Sequence, residues 1–192
     1  MSLEHHDDEH LNIQPDVLLH IHLNEYRKLK DEQIARIVMR EHLVYVTLGV
    51  FGGVSSYTLH DSHYYAFLVI PWVCVILGWM YLITDEKVSA IGEYIRKDLT
   101  EKLAPLADTK PALLLGWEVA HRSDQHRFLR KLLQLLVDEV TFVLSGLFAL
   151  AAFWWFQTEW TLLFQITWWI EGFFLLLLGI WILITADLGI GR

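Results

Sequence analysis

LLFQITWWIEGFFLLLLGIWILITA, residues Leu162–Ala186, contains a single ionisable side chain, Glu171. A helix rises about 1.5 Å per residue, so this stretch is long enough to cross a hydrocarbon core of about 30 Å. It reads as a membrane-spanning helix. Three further apolar stretches qualify: about His42–Leu59, with Gly49, Gly52 and Gly53; about Tyr64–Ile83, with Pro71; and about Val140–Phe156. The predicted fold class is all-α, a membrane protein with four transmembrane helices in two hairpins.

Composition agrees. The 192 residues are 54% hydrophobic and 14% aromatic, with nine Trp and only 20% charged residues. These values exclude a disordered chain, a collagen-like chain and an ordinary soluble enzyme. Cys74 is the single cysteine, so no intramolecular disulfide supports the fold. The formal net charge of −8 argues against a nucleic-acid partner, whose footprint is basic.

Lysine and arginine set the expected orientation. Five precede the first span, nine lie between the second and third, and Arg192 ends the chain. The connections 60–63 and 157–161 have none. The positive-inside rule then places both termini and the central segment of a multi-pass protein in the cytoplasm. Residues 1–15 are acidic and His-rich and do not form a signal peptide. Tyr57, Tyr64 and Tyr65, with Trp154, Trp155 and Trp160, suit the opposite interface. The organisation reads as a cytoplasmic tail and long helix (1–41), a hairpin (42–84), cytoplasmic amphipathic helices (85–131) and a second hairpin (132–192).

Pro15-Asp16 suits a first helical turn, and no Gly or Pro follows before Arg40, so one long helix is expected to run into the first span. Val88, Ile91, Ile95, Leu99 and Leu103 recur at helical spacing, a stripe predicted to pack on that long helix rather than on lipid. Pro105 is expected to stop it. A further helix is expected from near Ala112 into the third span.

Glu171 is the most informative residue. A carboxylate near the bilayer midplane costs several kcal/mol unless it faces protein, is paired or is protonated. It reads either as an ion site, repeated as an acidic ring around an oligomer axis, or as a neutral acid that specifies packing. Ser145 is expected near its depth, and Pro71 is expected to leave the Phe67 carbonyl without its helical donor, a gap that a protonated Glu171 could fill. Asp138 and Glu139, adjacent where the third span begins, cannot both face one partner, since successive helical residues diverge by about 100°. They suit interfacial salt bridges, one with Arg130 or Lys131 and the other with Lys87 or the first helix.

Gly49 and Gly53 form a GxxxG spacing, which Gly52 and Ser56 extend into a small-residue face. Such a face predicts close packing, within the bundle or between subunits. His5, His6, His10, His20 and His22 read as adventitious metal ligands rather than a built site, so no metal or cofactor is expected. The turn His60-Asp61-Ser62-His63 reads as a polar turn. His121 and His126 do not share a helix face and carry no assignment. No Walker loop, GxSxG elbow, HExxH, CxxC or dinucleotide glycine pattern is present. No enzyme is predicted.

Two stretches carry a resemblance. One is Glu25-Tyr26-Arg27-Lys28-Leu29-Lys30 with Arg36-Ile37-Val38-Met39-Arg40-Glu41. The other is Tyr94-Ile95-Arg96-Lys97-Asp98-Leu99 with Leu103-Ala104-Pro105 and Gly116-Trp117-Glu118. Together they resemble bacterial four-span integral membrane proteins without an assigned activity, which implies an inner-membrane setting. The functional expectation is a homo-oligomer that forms or gates an ion-conducting pore, such as a membrane effector of bacterial defence. A scaffold that recruits a cytoplasmic protein through its helices is the first alternative. A small lipid-acting enzyme, with a hydrophilic cavity near Glu171 or Asp138–Glu139, is the second.

Overall fold

The computed structural model describes residues 14–61, 63–110, 114 and 127–186, and those residues form an all-α protein. Helix α1, Pro15–Asp61, is one uninterrupted 47-residue helix. The Gln14 carbonyl accepts from Val17 and Leu18 N–H, with Pro15 at the first helical position. At about 1.5 Å per residue α1 is about 70 Å long, so only its second half fits within a bilayer. Leu43, Thr47 and Thr58 are its buried residues, with Phe51 and Val54 half-buried between them. The two threonine hydroxyls donate to the Leu43 and Val54 carbonyls of their own helix, at 2.8 and 2.7 Å, whereas the Ser55 hydroxyl is buried without a hydrogen-bond partner among the described residues.

A tight 3₁₀ turn, Tyr64–Leu68, leads into α2, Val69–Tyr94. Pro71 therefore sits in the first turn of α2, where a missing N–H breaks no helical bond. The expected gap at Phe67 does not arise: the Val69 N–H is directed at the Ala66 and Phe67 carbonyls.

The second span does not stop near Ile83. Helix α2 continues through a wide π turn, Ile95–Leu99, into α3, Thr100–Leu106. The Thr100 hydroxyl donates to the Ile95 carbonyl at 2.8 Å and occupies the widened turn. The predicted amphipathic stripe is the far end of this rod. Its Ile95, Leu99 and Leu103 are buried against Leu19, Tyr26 and Leu29 of α1, as the spacing predicts. The helix closes one residue beyond Pro105. Asp108 adopts a left-handed conformation (φ 46°), and Thr109 N–H bonds the Ala104 carbonyl at 3.1 Å, the geometry of a Schellman stop.

Polar contacts reinforce this docking. Gln33 donates to the Val88 carbonyl at 3.3 Å, and the Tyr94 hydroxyl donates to Glu25 at 2.7 Å. Tyr94 and His22 hold the Glu25 carboxyl below the usual carboxylate range. A lowered carboxylate contributes stability above its unfolded value of about 4.3 and loses that contribution as the pH falls further. Tyr94→Phe is expected to cost about 0.5 kcal/mol at neutral pH, and progressively less as the pH falls through the lowered Glu25 value. Unfolding both proteins over that range of pH checks this.

The third span comprises α4, Arg127–Asp138, a π turn, Glu139–Leu144, and α5, Ser145–Phe156. The last is α6, Leu162–Thr185, whose Thr161 side chain caps the Phe164 N–H. The expected helix start near Ala112, with His121, His126 and the segment Gly116-Trp117-Glu118, lies outside the described residues.

Helix α2 is central, touching α1, α5 and α6. Two buried clusters stack along it. One holds Leu43, Tyr81, Leu135, Phe142 and Leu178; the other holds Ile70, Cys74, Leu150, Phe153 and Leu175. Among the described residues, four helices are long and apolar enough to cross a membrane. Their outward side chains are apolar too: Trp155, Leu163, Trp169, Phe173 and Ile184 are exposed. Water tolerates no such continuous surface, whereas lipid does. One end of the bundle is aromatic, with Tyr64 stacked on Phe156 at 5.2 Å and Trp154 beside Trp160 at 4.6 Å. The other end is charged.

Candidate functional site

Helix α6 turns one narrow stripe inward: Glu171, Leu175, Leu178, Gly179 and Ile182. The spacings of four, three, one and three residues keep these positions on one face, while Trp169, Ile170 and Phe173 face out. Glu171 thus enters the bundle as part of an otherwise apolar face. It is 1% exposed, and neither carboxyl oxygen has a hydrogen-bond partner among the described residues. The Trp72 indole of α2 interacts with the carboxyl without reaching hydrogen-bond geometry. One turn toward the aromatic end, the Trp168 indole donates to the Leu150 carbonyl at 3.2 Å and ties α6 to α5.

Enclosure inside one chain removes the acidic ring. A ring around an oligomer axis requires the carboxyl on the outer surface of the subunit, and the α6 stripe turns it the other way. Ser145 is not brought into a hydrogen bond with Glu171 either. Its hydroxyl donates to the Val140 carbonyl at 3.0 Å, filling the second π turn as Thr100 fills the first.

At the charged end, Asp138 and Glu139 diverge as expected. Asp138 is 7% exposed and faces Tyr81, Arg40 and Asp85, on α2 and α1. Arg40 forms an ion pair with Asp85 and lies 5.5 Å from the centre of the Tyr81 ring. Gln134 donates to the Tyr81 hydroxyl at 3.4 Å. Glu139 points instead to α6. Its Oε2 is 3.4 Å from where a Cβ on Gly179 would stand, and its Oε1 is buried without a partner. The first helix supplies the basic partner through Arg40, a residue that the sequence reading left unassigned.

The small-residue face is not used within the subunit. A Cβ built on Gly49, Gly52 or Gly53 meets nothing within 4 Å, and Ser56 is exposed. Helix α1 packs on α2 through Leu43, Thr47 and Thr58, and the glycines lie off that seam. Close approach occurs at glycines that the spacing argument passed over. A Cβ on Gly78 would stand 2.7 Å from Leu178 Cδ2, and one on Gly146 would stand 2.7 Å from Leu175 Cδ2. Their signal in the sequence was weak: each is a lone glycine in an apolar run, with no repeat to mark it.

Among the described residues the histidines do not assemble. His22 bonds Glu25 at 3.1 Å, and the His63 ring lies 5.5 Å from that of Tyr65. No group of three His, Cys, Asp or Glu side chains is placed to hold a metal among the described residues. His5, His6, His10 and Ser62 lie outside them. No protein-family model, curated protein or solved structure matches this chain.

This arrangement suits the handling of charge within a membrane. It has one acid at mid-span with only the Trp72 indole beside its carboxyl, a second acid on the same helix interface nearer the charged end, and an arginine with two further acids at that end.

Proposed function

We propose that this protein is a homo-oligomeric, multi-pass protein of the bacterial inner membrane that conducts ions along a path inside each subunit, past Glu171. Both termini and the charged end of the bundle face the cytoplasm, and the two short turns face outward, following the distribution of lysine and arginine. The observation that carries the reading is the Glu171 carboxyl, buried at mid-span with neither oxygen bonded. A purely structural acid would satisfy at least one oxygen, because an unbonded polar group in lipid costs several kcal/mol. An acid that binds and releases an ion must leave that position open. The bare face at Gly49, Gly52, Gly53 and Ser56 supports oligomer formation, since small residues let helices approach in lipid.

Purified protein in liposomes tests the reading. Wild type is expected to carry ions between pH 5 and 8, and Glu171→Gln to cut the flux. Correctly inserted wild type that carries no ion overturns it.

A scaffold role has its own observation. Val17, Ile21, Ile34 and Val38 are exposed on the part of α1 that extends beyond the bilayer, a surface suited to a cytoplasmic protein partner. That role tolerates Glu171→Gln in the cell. Loss of function in this variant therefore favours conduction.

A further inference from the structure

Resting on the conduction reading, we propose that the conducted ion is the proton, that Glu171 and Glu139 bind it in turn, and that Leu175 and Leu178 form the closed gate between them. Three observations lead to this.

The first is the poverty of ligands at Glu171. A metal cation that leaves water needs several oxygen ligands, six to eight for Ca²⁺. The side chains around this part of α6 are Trp72, Leu150, Leu175 and Trp168, with Ile70 and Cys74 in the same buried cluster. A proton needs one carboxylate oxygen.

The second is the placement of the next acid. Glu139 meets α6 at Gly179, eight residues beyond Glu171 and about 12 Å along the helix axis. Gly179 belongs to the same inward stripe as Glu171, and its missing side chain leaves room for the carboxylate. Glu139 adjoins Asp138, which faces Arg40, Asp85 and Tyr81 at the cytoplasmic mouth. One interior surface therefore connects the midplane to the charged end.

The third is what fills the gap. Leu175 and Leu178 are 0% and 1% exposed and lie between the two acids on the stripe. Leu175 is seated against Gly146 and Leu178 against Gly78, each methyl 2.7 Å from the position a Cβ would take. Water has no space there, and a proton does not cross about 12 Å of hydrocarbon without it. The gate is closed in this structure, and opening means lifting these leucines from their glycine notches.

The transfer is balanced. Glu171 rests as the neutral acid. Its O–H bond breaks as the proton passes through admitted water to form an O–H bond on the Glu139 carboxylate. Glu139 then gives the proton to water at the charged end, and a proton from water on the outer side re-forms the Glu171 O–H bond. The gradient across the membrane supplies the drive. The titratable and charged groups facing the route are Cys74, Tyr81 and Asp85 from α2, Arg40 from α1, and Asp138 from α4.

The test uses full-length protein in liposomes containing a pH-sensitive dye, with a potassium gradient and valinomycin imposing the voltage. Na⁺ and K⁺ fluxes are read separately with ion-selective dyes, and helical content and monodispersity are verified for each variant. Wild type is expected to acidify the lumen without matching Na⁺ or K⁺ movement. Glu171→Gln and Glu139→Gln should each lower proton flux at least tenfold. Leu175→Ser is designed to wet the gate, since a hydroxyl beside Glu171 gives water polar partners that alanine does not. It should raise proton flux several-fold, and the gain should vanish in Leu175→Ser/Glu171→Gln. Proton flux unchanged in Glu171→Gln, a leak that persists in the double variant, or Na⁺ or K⁺ carried as readily as H⁺ overturns the proton route and leaves ion conduction standing. Absence of every flux in all variants, Leu175→Ser included, removes the conduction reading itself and this route with it.

Discussion

Arg40→Ala is expected to destabilise the folded protein by about 2–3 kcal/mol, the largest loss from any single surface-accessible position. Arg40 is the cation on α1 that faces Asp85 and, through Tyr81, Asp138. Removing one partner from a buried ion pair costs about 3–5 kcal/mol, because the other charge remains without compensation. The Arg40 side chain is 22% exposed and Asp85 38%, so solvent screens that pair and it contributes at most about 1 kcal/mol. The rest of the roughly 2–3 kcal/mol comes from leaving the buried Asp138 without its cation. The sign can be verified by removing the opposing charge. Asp138→Asn in the Arg40→Ala background should restore part of the loss, and lowering the pH should do the same by neutralising the carboxylates. Denaturant unfolding in mixed micelles of the two single variants and the double variant provides the comparison. A double variant no more stable than Arg40→Ala would mean that Arg40 acts through packing alone.

Gly78→Ala should cost about 1–3 kcal/mol, the range for overpacking a filled core. Its added methyl would stand 2.7 Å from Leu178 Cδ2 and 3.2 Å from Phe142 Cβ. The leucine terminus can rotate away, but the Phe142 Cβ is held by its backbone. The atoms nearest the methyl of Gly146→Ala would be Leu175 Cδ2 and Cδ1, at 2.7 and 2.8 Å, both at the end of a side chain that can rotate, so it should cost less. Gly49→Ala meets open space, so it leaves the stability of the single subunit unchanged or slightly raised. Thermal unfolding of the three variants should therefore rank Gly78→Ala lowest and Gly49→Ala highest. If Gly49→Ala instead lowers the oligomeric state measured by light scattering, the small-residue face lies between subunits.

The spans were readable because their signal is long and redundant. About twenty apolar residues, arginine and lysine confined to one side and aromatic borders all point the same way. The long α1 was readable for a similar reason: no Gly or Pro interrupts residues 16–48. The inward stripe at Ile95, Leu99 and Leu103 followed from period alone. What was missed depends on which face of an all-apolar helix turns inward, and composition cannot tell that when every face is apolar. The GxxxG spacing at Gly49 drew attention to the bare side of α1, while the lone Gly78 and Gly146 proved to be the close contacts. The expected gap at the Phe67 carbonyl assumes that Pro71 stands inside the helix, and the 3₁₀ turn at Tyr64–Leu68, which puts Pro71 in a first turn, leaves no periodic mark in the sequence. The burial of Glu171 was readable from cost alone. Its separation from Ser145, and the meeting of Glu139 with α6 at Gly179, go with the π turn at Glu139–Leu144, whose extra residue shifts the register of the third span.

Infrared difference spectroscopy on Glu171 tests the central claim most directly. Wild type should show the carbonyl stretch of a neutral, weakly hydrogen-bonded carboxylic acid, absent in Glu171→Gln. On transfer to D₂O the band should shift promptly in Leu175→Ser and slowly in wild type, because the route reaches the carboxyl through the leucine gate. A Glu171 band that is ionised, or that exchanges at the same rate with Leu175 intact or replaced, would contradict it.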